Sequence, residues 1–392
     1  KRRVGQEVFS TRGKEAGVLD NPLDISGKWL VADGIRYVTP YYRVDEHRMK
    51  PANEGLKVKH VLCNMLTPNN SNLAVTFWSS KVRGGGVSLR QSKKSIDDPW
   101  EFRPLVDPDY CIQRGDTLQV RHHIHEKCVS DGLPVTHLDT DPDYLIVNKP
   151  SGVPMVNDNN GKNSVLYMVE NSLKVGKRLY YTHRLDSPVS GILVLARNKA
   201  ACKAAQREIA NRRVSKLYIA RVVGKFPQSA EESMLLGHGW DNDSGLQWQE
   251  GGIRVGVPLG FHSRNGTAYV DQRDGKASET LFEFIGYDQK GNTSLVRCFP
   301  KTGRPHQIRA HLRYLGHPIA NDVIYGGRKD KSNYRTAYSS QACEKIKDVI
   351  EKTLESDCPR CEWISMALNG EIPDSDKPKV CIGIWLHAVR YH

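Results

Sequence analysis

The stretch "THRLDSPVSGILVLARN", Thr182 to Asn198, places one carboxylate, Asp186, after His-Arg-Leu and before a small-residue turn that opens into an apolar run. A carboxylate on a turn between two strands can serve as nucleophile or base if an opposing cation keeps it charged. A second segment supplies cations: Arg304 and Arg309 in "TGRPHQIRAHL". On a helix starting near Pro305, His306, Arg309 and Arg313 share one face by their three- and four-residue spacing. The everyday alternative for Asp186 is a turn aspartate that satisfies backbone N–H groups. The arginine-bearing helix shifts the balance towards a site. Taken alone, Tyr218 in "KLYIARV" is an ordinary strand aromatic, and Arg304 a turn donor or phosphate clamp.

These residues must be held by a sizeable fold. The chain has 392 residues, room for two domains, and 39% hydrophobic content, enough for a core. It carries 57 Lys and Arg against 44 Asp and Glu, a formal charge of +13. Such an excess points to a polyanionic partner, with a merely solvated basic surface as the bland alternative. No stretch reaches the length of a membrane-spanning apolar run. Nine scattered cysteines form no disulfide framework and suggest a reducing compartment. The first residue is Lys1, so a processed start is expected, with any targeting signal upstream of it.

Pattern reading gives polar, irregular sequence over 1–54 with short aromatic strands in "KWLVADGIRYVTPYYR". A small α+β unit follows at 55–128, with a helix at "LKVKHVLCNML" and short strands at "GGVSL" and "GDTLQVR". From 136 to 392 the pattern is β-rich with inserted helices. "DYLIVNKPSG", "KRLYYTH", "GILVLAR", "KLYIARVVGKF", "ETLFEFIGYD", "TSLVRCF" and a final "KVCIGIWLHAVRYH" read as strands. "NKAACKAAQREIANRRV" reads as a helix capped by Asn198. "TGRPHQIRAHLRYLG" reads as a helix stopped at Gly316. "ACEKIKDVIEKTLES" reads as a charged helix, and 228–256 as a loop insertion.

The motifs "VNKPSGVP", "THRLDSPVSGILVLARN", "SKLYIARVVG", "GKASET" and "KTGRPHQIRAHLRYLGHPIANDVIYGG" resemble, in order and spacing, the RluA-type RNA pseudouridine synthases. The likeness runs from about 143 to 327 and resumes at "WLHAVRY". "DGIRYVTPYY", "HHIHE" and "CPRC" look most like the eukaryotic tRNA-modifying branch. The resemblance implies an α+β fold with a mixed, mainly antiparallel, bent sheet and flanking helices, and a worn S4-like RNA-binding domain at 55–128. It implies Asp186 as the catalytic aspartate, Tyr218 as the active-site tyrosine that stacks on the target base, and Arg309 as the arginine paired with the aspartate. It implies RNA-binding roles for Arg184, Lys149, Lys216, Arg304 and His306. The sequence departs from the family pattern at Ser187-Pro188-Val189-Ser190-Gly191, where a basic residue and Thr-Ser-Gly are usual. It departs again after "NKPSG", at Pro305, and beyond "LHAVRYH".

Uridine isomerisation is redox-neutral and needs no cofactor, and the sequence carries no P-loop or dinucleotide fingerprint. No cofactor and no metal are expected. Cys358-Pro-Arg-Cys361, with Cys381 and His387 downstream, makes a weak ligand set, and His122, His123, His125 and Cys128 read as a solvated basic edge. The expected substrate is tRNA, with rRNA or mRNA as alternatives. The chain is expected to act as a monomer without a membrane, in the cytoplasm or mitochondrion, the nucleus being a third compartment. The contrasting readings are a non-catalytic RNA-binding or ribosome-assembly factor that kept the fold, and a hydrolytic metalloenzyme.

Overall fold

The computed structural model describes residues 28–66, 72–91, 101–138, 141–156, 161–172, 178–234, 245–249, 251–327, 334–356 and 358–392. Half of the expected N-terminal extension, residues 1–27, and part of the expected loop at 228–256 lie outside them. No helix among the described residues is long and apolar enough to cross a membrane. The chain forms two compact units, and neither is one continuous stretch. Among the described residues the smaller takes Lys28, 39–125 and 349–360, and the larger takes 29–38, 126–348 and 361–392. The last boundary falls inside the first turn of the Pro359–Leu368 helix. The expected domains at 55–128 and 136–392 therefore overlap these units with different edges.

In the smaller unit the helices Val58–Leu66 and Asn72–Arg83 lie beside a four-stranded antiparallel sheet. Its order is Tyr41–Arg48, Thr117–Ile124, Val87–Arg90, Arg103–Pro104. Val58, Leu62, Trp78, Val82, Leu118 and Val120 close its core.

The larger unit opens with a hairpin, Trp29–Ala32 and Ile35–Val38, turned at Asp33 and Gly34. Both turn residues have positive φ (52° and 73°), which matches the twist of the strands they join. The main element is a ten-stranded sheet. Its path is Leu246–Gln249, Gly252–Val255, Thr280–Asp288, Thr293–Pro300, Lys216–Val223, Leu386–Tyr391, Ser190–Ala196, Tyr144–Lys149, Val135–Leu138. Tyr180–Tyr181 pairs beside Ser190–Ala196. Every pairing is antiparallel except that of Ser190–Ala196 with Leu386–Tyr391. The sheet is thus mixed and mainly antiparallel, and the α+β class holds.

Alternation makes these strands. Tyr144–Lys149 and Ser190–Ala196 bury every second side chain, so one face meets the core and the other does not. Leu185, Val189, Tyr218, Ala220, Val222, Ile308, Leu312 and Leu386 belong to one core cluster. The Lys199–Ala210 helix starts where Asn198 Oδ1 accepts the Ala201 N–H at 2.8 Å, as its side chain suggests. The final strand differs from expectation. It is two short strands, Lys379–Cys381 and Leu386–Tyr391, and the first pairs elsewhere, with Tyr334–Thr336. Gly383 lies between them, where a Cβ would stand 2.5 Å from Ser151 Oγ.

Gly191 sits where the single parallel pairing begins. Its φ is 117°, and a Cβ would stand 2.2 Å from the Ala388 carbonyl oxygen. Gly191→Ala must push two central strands apart, so we expect a loss of about 3 kcal/mol or more, read as a lowered urea midpoint. An unchanged midpoint would contradict the register described.

Candidate active site

Asp186 lies in the loop between Tyr180–Tyr181 and Ser190–Ala196. The residues around it anchor the loop: Leu185 and Val189 are buried in the core. The loop's carbonyls are also captured. Asp186 O accepts from Val189 N–H, Ser187 O from Gly152 N–H, and Pro188 O from Ile384 N–H, at 3.0, 2.9 and 2.9 Å. Lys149 Nζ donates to Pro150 O, Ser187 O and Val189 O at 2.8, 2.9 and 2.7 Å. The loop is fixed from beneath, and the Asp186 carboxylate is left partly open, its side chain 29% exposed.

The opposing cation is Arg309, on the Gln307–Tyr314 helix. That helix begins two residues later than Pro305 suggests. His306 precedes it in the left-handed region (φ 53°), and Gln307 Oε1 accepts from Thr302 Oγ1 and Arg304 N–H. Ile308 and Leu312 join the core cluster, which turns Arg309 inward. Arg309 is 2% exposed. Its Nε and Nη2 both donate to the carboxylate of Asp322, the latter at 2.9 Å, and Asp322 is equally buried. Its Nη1 reaches Asp186 Oδ2 at 3.3 Å. Tyr325 lies under the guanidinium, 4.7 Å from ring centroid to Cζ. Asp322 was not singled out from the sequence, where it sits in "ANDVIYGG" with no diagnostic spacing.

His306 Nε2 lies 3.6 Å from Asp186 Oδ2. Its Nδ1 meets Tyr325 Oη at 2.9 Å, and that oxygen accepts the Ala268 N–H at 2.7 Å. The phenol proton is then available to Nδ1, which leaves Nε2–H directed at the carboxylate. Burial pulls the His306 pKa down, against the opposing pull of Asp186.

Tyr218 lies on Lys216–Val223 and is 8% exposed. Its hydroxyl makes a short hydrogen bond to Tyr391, on whose ring His183 stacks at 4.1 Å. Burial pushes the Tyr218 phenol up to about 12, with the Tyr391 bond opposing and the Asp186 charge adding, so it is protonated at neutral pH. Tyr391 and His183 lie inside the motifs "WLHAVRY" and "THRLDSPVSG" but were not singled out from the sequence.

The expected RNA-contacting residues divide. Arg184 is exposed and makes no ion pair among the described residues. Lys216 is half-buried, its Nζ 3.5 Å from Thr302 O, and burial lowers its pKa. Arg304 is half-buried and donates from Nε to Ala277 O at 3.0 Å. His306 faces Asp186. Arg313, grouped with His306 and Arg309 by spacing, is exposed. Lys149 is a correction. It is wholly buried, its three donors are spent on carbonyls, and desolvation lowers its pKa to about 7 while the Asp186 charge raises it. It positions the Asp186 loop and cannot reach a phosphate.

The RNA pseudouridylate synthase family model matches residues 143–314. The chain is similar to the mitochondrial tRNA pseudouridine(32) synthase of Saccharomyces cerevisiae, 30% identical over 92% of this chain and 73% of that relative. It is also similar to human pseudouridylate synthase RPUSD2, 30% identical over 74% of this chain. The chain spans less than half the length of that human relative, 46%. A solved structure, human RNA pseudouridylate synthase domain containing 1, overlaps 66% of this chain and 77% of its own at 21% identity and a TM-score of 0.41.

Removing Asp322 leaves the buried Arg309 guanidinium half unpaired. Asp322→Ala should cost about 3–5 kcal/mol of stability, measured by urea unfolding; a neutral effect would mean the pair is dispensable. The same helix sets a pH dependence. His311 is fully buried, with Nε2 2.9 Å from Ser278 Oγ and Nδ1 3.0 Å from Thr280 Oγ1. Burial, opposed by a backbone bond, lowers its pKa from 6.5 to about 4. The unfolded chain takes this proton first, so the stabilisation is complete above pH 6.5 and fades as the pH falls towards 4. From pH 7 to pH 5 this one group should remove about 2 kcal/mol, with net proton uptake on unfolding. Stability that rises on acidification would contradict it.

Proposed function

The chain belongs to the RNA pseudouridylate synthase family, and on that footing we propose that it isomerises uridine to pseudouridine in structured RNA, with tRNA as the substrate. One observation carries the reading: a partly open carboxylate, Asp186, faces a buried guanidinium whose other two donor groups are locked on Asp322. A surface aspartate needs no such backing. A carboxylate that must meet the sugar–base junction does.

The reaction breaks the bond from C1′ to N1 and forms one from C1′ to C5. A proton leaves C5 and one is gained at N1, so nothing is released. Asp186 attacks the sugar or base, or takes the C2′ proton. Arg309 holds the carboxylate oxygen in place and offsets its desolvation once a base covers it. The uridine must leave its stack, at a cost of a few kcal/mol, and the Tyr218 ring offers a surface that recovers part of this. Tyr218 is protonated before substrate arrives, its hydroxyl hydrogen-bonded to that of Tyr391.

RNA is gripped by the exposed Arg184, by Lys216 and Arg304 at half-buried positions, and by a basic surface on a chain of charge +13. The smaller unit, with its two helices and antiparallel sheet, is assigned the S4-like RNA-binding task. The protein is read as a monomer. Its compartment is read as the cytoplasm or the mitochondrion, with the nucleus as a third, and the similar yeast synthase is a mitochondrial one.

Asp186→Asn should abolish pseudouridine formation in transcribed tRNA, a loss of at least about 10³-fold, while gel-shift affinity for the same RNA stays within a few-fold. An active Asn variant sinks the catalytic assignment. A wild-type chain that binds RNA but leaves no pseudouridine in any mapped RNA class would support the scaffold reading instead.

A further inference from the structure

Two motifs that look unrelated in the sequence meet in the folded chain. His123 is the penultimate residue of the Thr117–Ile124 strand and His125 directly follows that strand, so by the two-residue period they share one side of the backbone. Cys358 directly precedes the Pro359–Leu368 helix, and Cys361 lies in that helix's first turn. Local helical geometry therefore sets the two thiols beside one another, whatever else the chain does. Each of the four side chains offers one ligand atom, and these atoms all lie within 4.8 Å of one another. His125 Nε2 is 3.3 Å from Cys358 Sγ, although the residues are 233 positions apart in sequence.

We propose that His123, His125, Cys358 and Cys361 form a structural zinc site. Two imidazoles and two thiolates are the donor set zinc takes in closed tetrahedral sites, and soft sulfur disfavours magnesium and calcium. The separations suit one ion at the centre, since tetrahedral ligand atoms at zinc bond lengths stand about 3–4 Å apart. The surroundings are built for the imidazoles. Tyr42 stacks on His123 at 4.9 Å, and Glu355 Oε2 lies 3.4 Å from His123 Nδ1, the kind of carboxylate that orients a ligating histidine. Cys361 is 1% exposed, and the other three are partly buried. All four donors come from the protein, so the ion has no open position and takes no part in catalysis.

Its task is mechanical. The ion ties the 349–360 segment of the smaller unit to the end of its Thr117–Ile124 strand. Closing so long a loop by backbone contacts alone is entropically costly, and a metal clip offsets that cost. Cys381 and His387, weighed in the sequence only as a weak ligand set with Cys358 and Cys361, have other partners. Cys381 Sγ is directed at Gly383 O, and His387 Nδ1 meets Ser190 Oγ at 2.9 Å. A second group, Asp45, His47 and His122, offers three donors and no sulfur, so thiolate spectroscopy separates the two.

The full chain, purified without a histidine tag, should carry about one zinc by elemental analysis, released by a thiol-specific mercurial. Replacement by Co(II) should give the visible bands of a tetrahedral ion together with thiolate charge-transfer absorption. Cys358→Ser with Cys361→Ser should lose both signals, while Cys111→Ser, at an exposed cysteine elsewhere, keeps them. If the double variant fails to fold, the wild-type cobalt spectrum decides. A wild-type chain refolded with excess zinc that holds none, or a cobalt complex lacking thiolate absorption, overturns the proposal. Pseudouridine assays play no part in this test, so its failure leaves the catalytic reading untouched.

Discussion

A guanidinium buried to 2% exposure must have its charge answered within the fold, and Arg309 divides that answer between two carboxylates. Asp322, equally buried, takes two of its donor groups. Asp186, part open, takes the third. The two acids are chemically alike, and their surroundings give them separate tasks. The closed one holds the arginine, and the arginine holds the open one. A guanidinium suits this because its donors lie in one rigid plane, so fixing two of them aims the third.

The rest of the larger unit can be read as support for that line of three side chains. Asn321, next to Asp322, donates to Gly383 O at 3.0 Å and accepts from Trp385 N–H at 2.7 Å. Ile384, between them, donates its N–H to Pro188 O in the Asp186 loop. The backbone that carries Asp322 is thereby tied, through residues 383–385, to the backbone that carries Asp186. Lys149 closes the loop from the other side with three hydrogen bonds to carbonyls. A buried ammonium is expensive, and its position beneath the loop, where the Asp186 charge also steadies it, explains why the chain tolerates it.

Neutral polar groups line the same region. His306, His311 and Tyr218 are each kept uncharged by burial, and each has a hydroxyl partner: Tyr325, Thr280 and Ser278, and Tyr391. The charged members of the site are thus few and deliberately opposed. Asp186 faces one cation, Arg309, with the protonated Tyr218 phenol and the His306 imidazole in the same region. The smaller unit depends on the opposite kind of device. It gathers a distant segment onto the end of a strand, where His125 meets Cys358.

Some of this was legible in the sequence because it depends on local order. Alternating apolar residues marked Tyr144–Lys149, Ser190–Ala196 and Lys216–Val223; Asn198 marked a helix start; and the order of five motifs pointed to Asp186, Arg309 and Tyr218 together. The rest was not legible because contact over long separations leaves no local trace. "KVCIGIWLHAVRYH" looks like one strand, and only the different pairing partners of its two halves divide it. Lys149 looks like a phosphate-binding lysine, and only burial against three carbonyls reassigns it. His123, His125, Cys358 and Cys361 were each noticed, yet no spacing rule could join residues 233 positions apart. The sequence alone determined which residue types could do chemistry and which strands and helices would carry them. The tertiary structure decided which of them meet, because burial and pairing of charge are properties of neighbours in space.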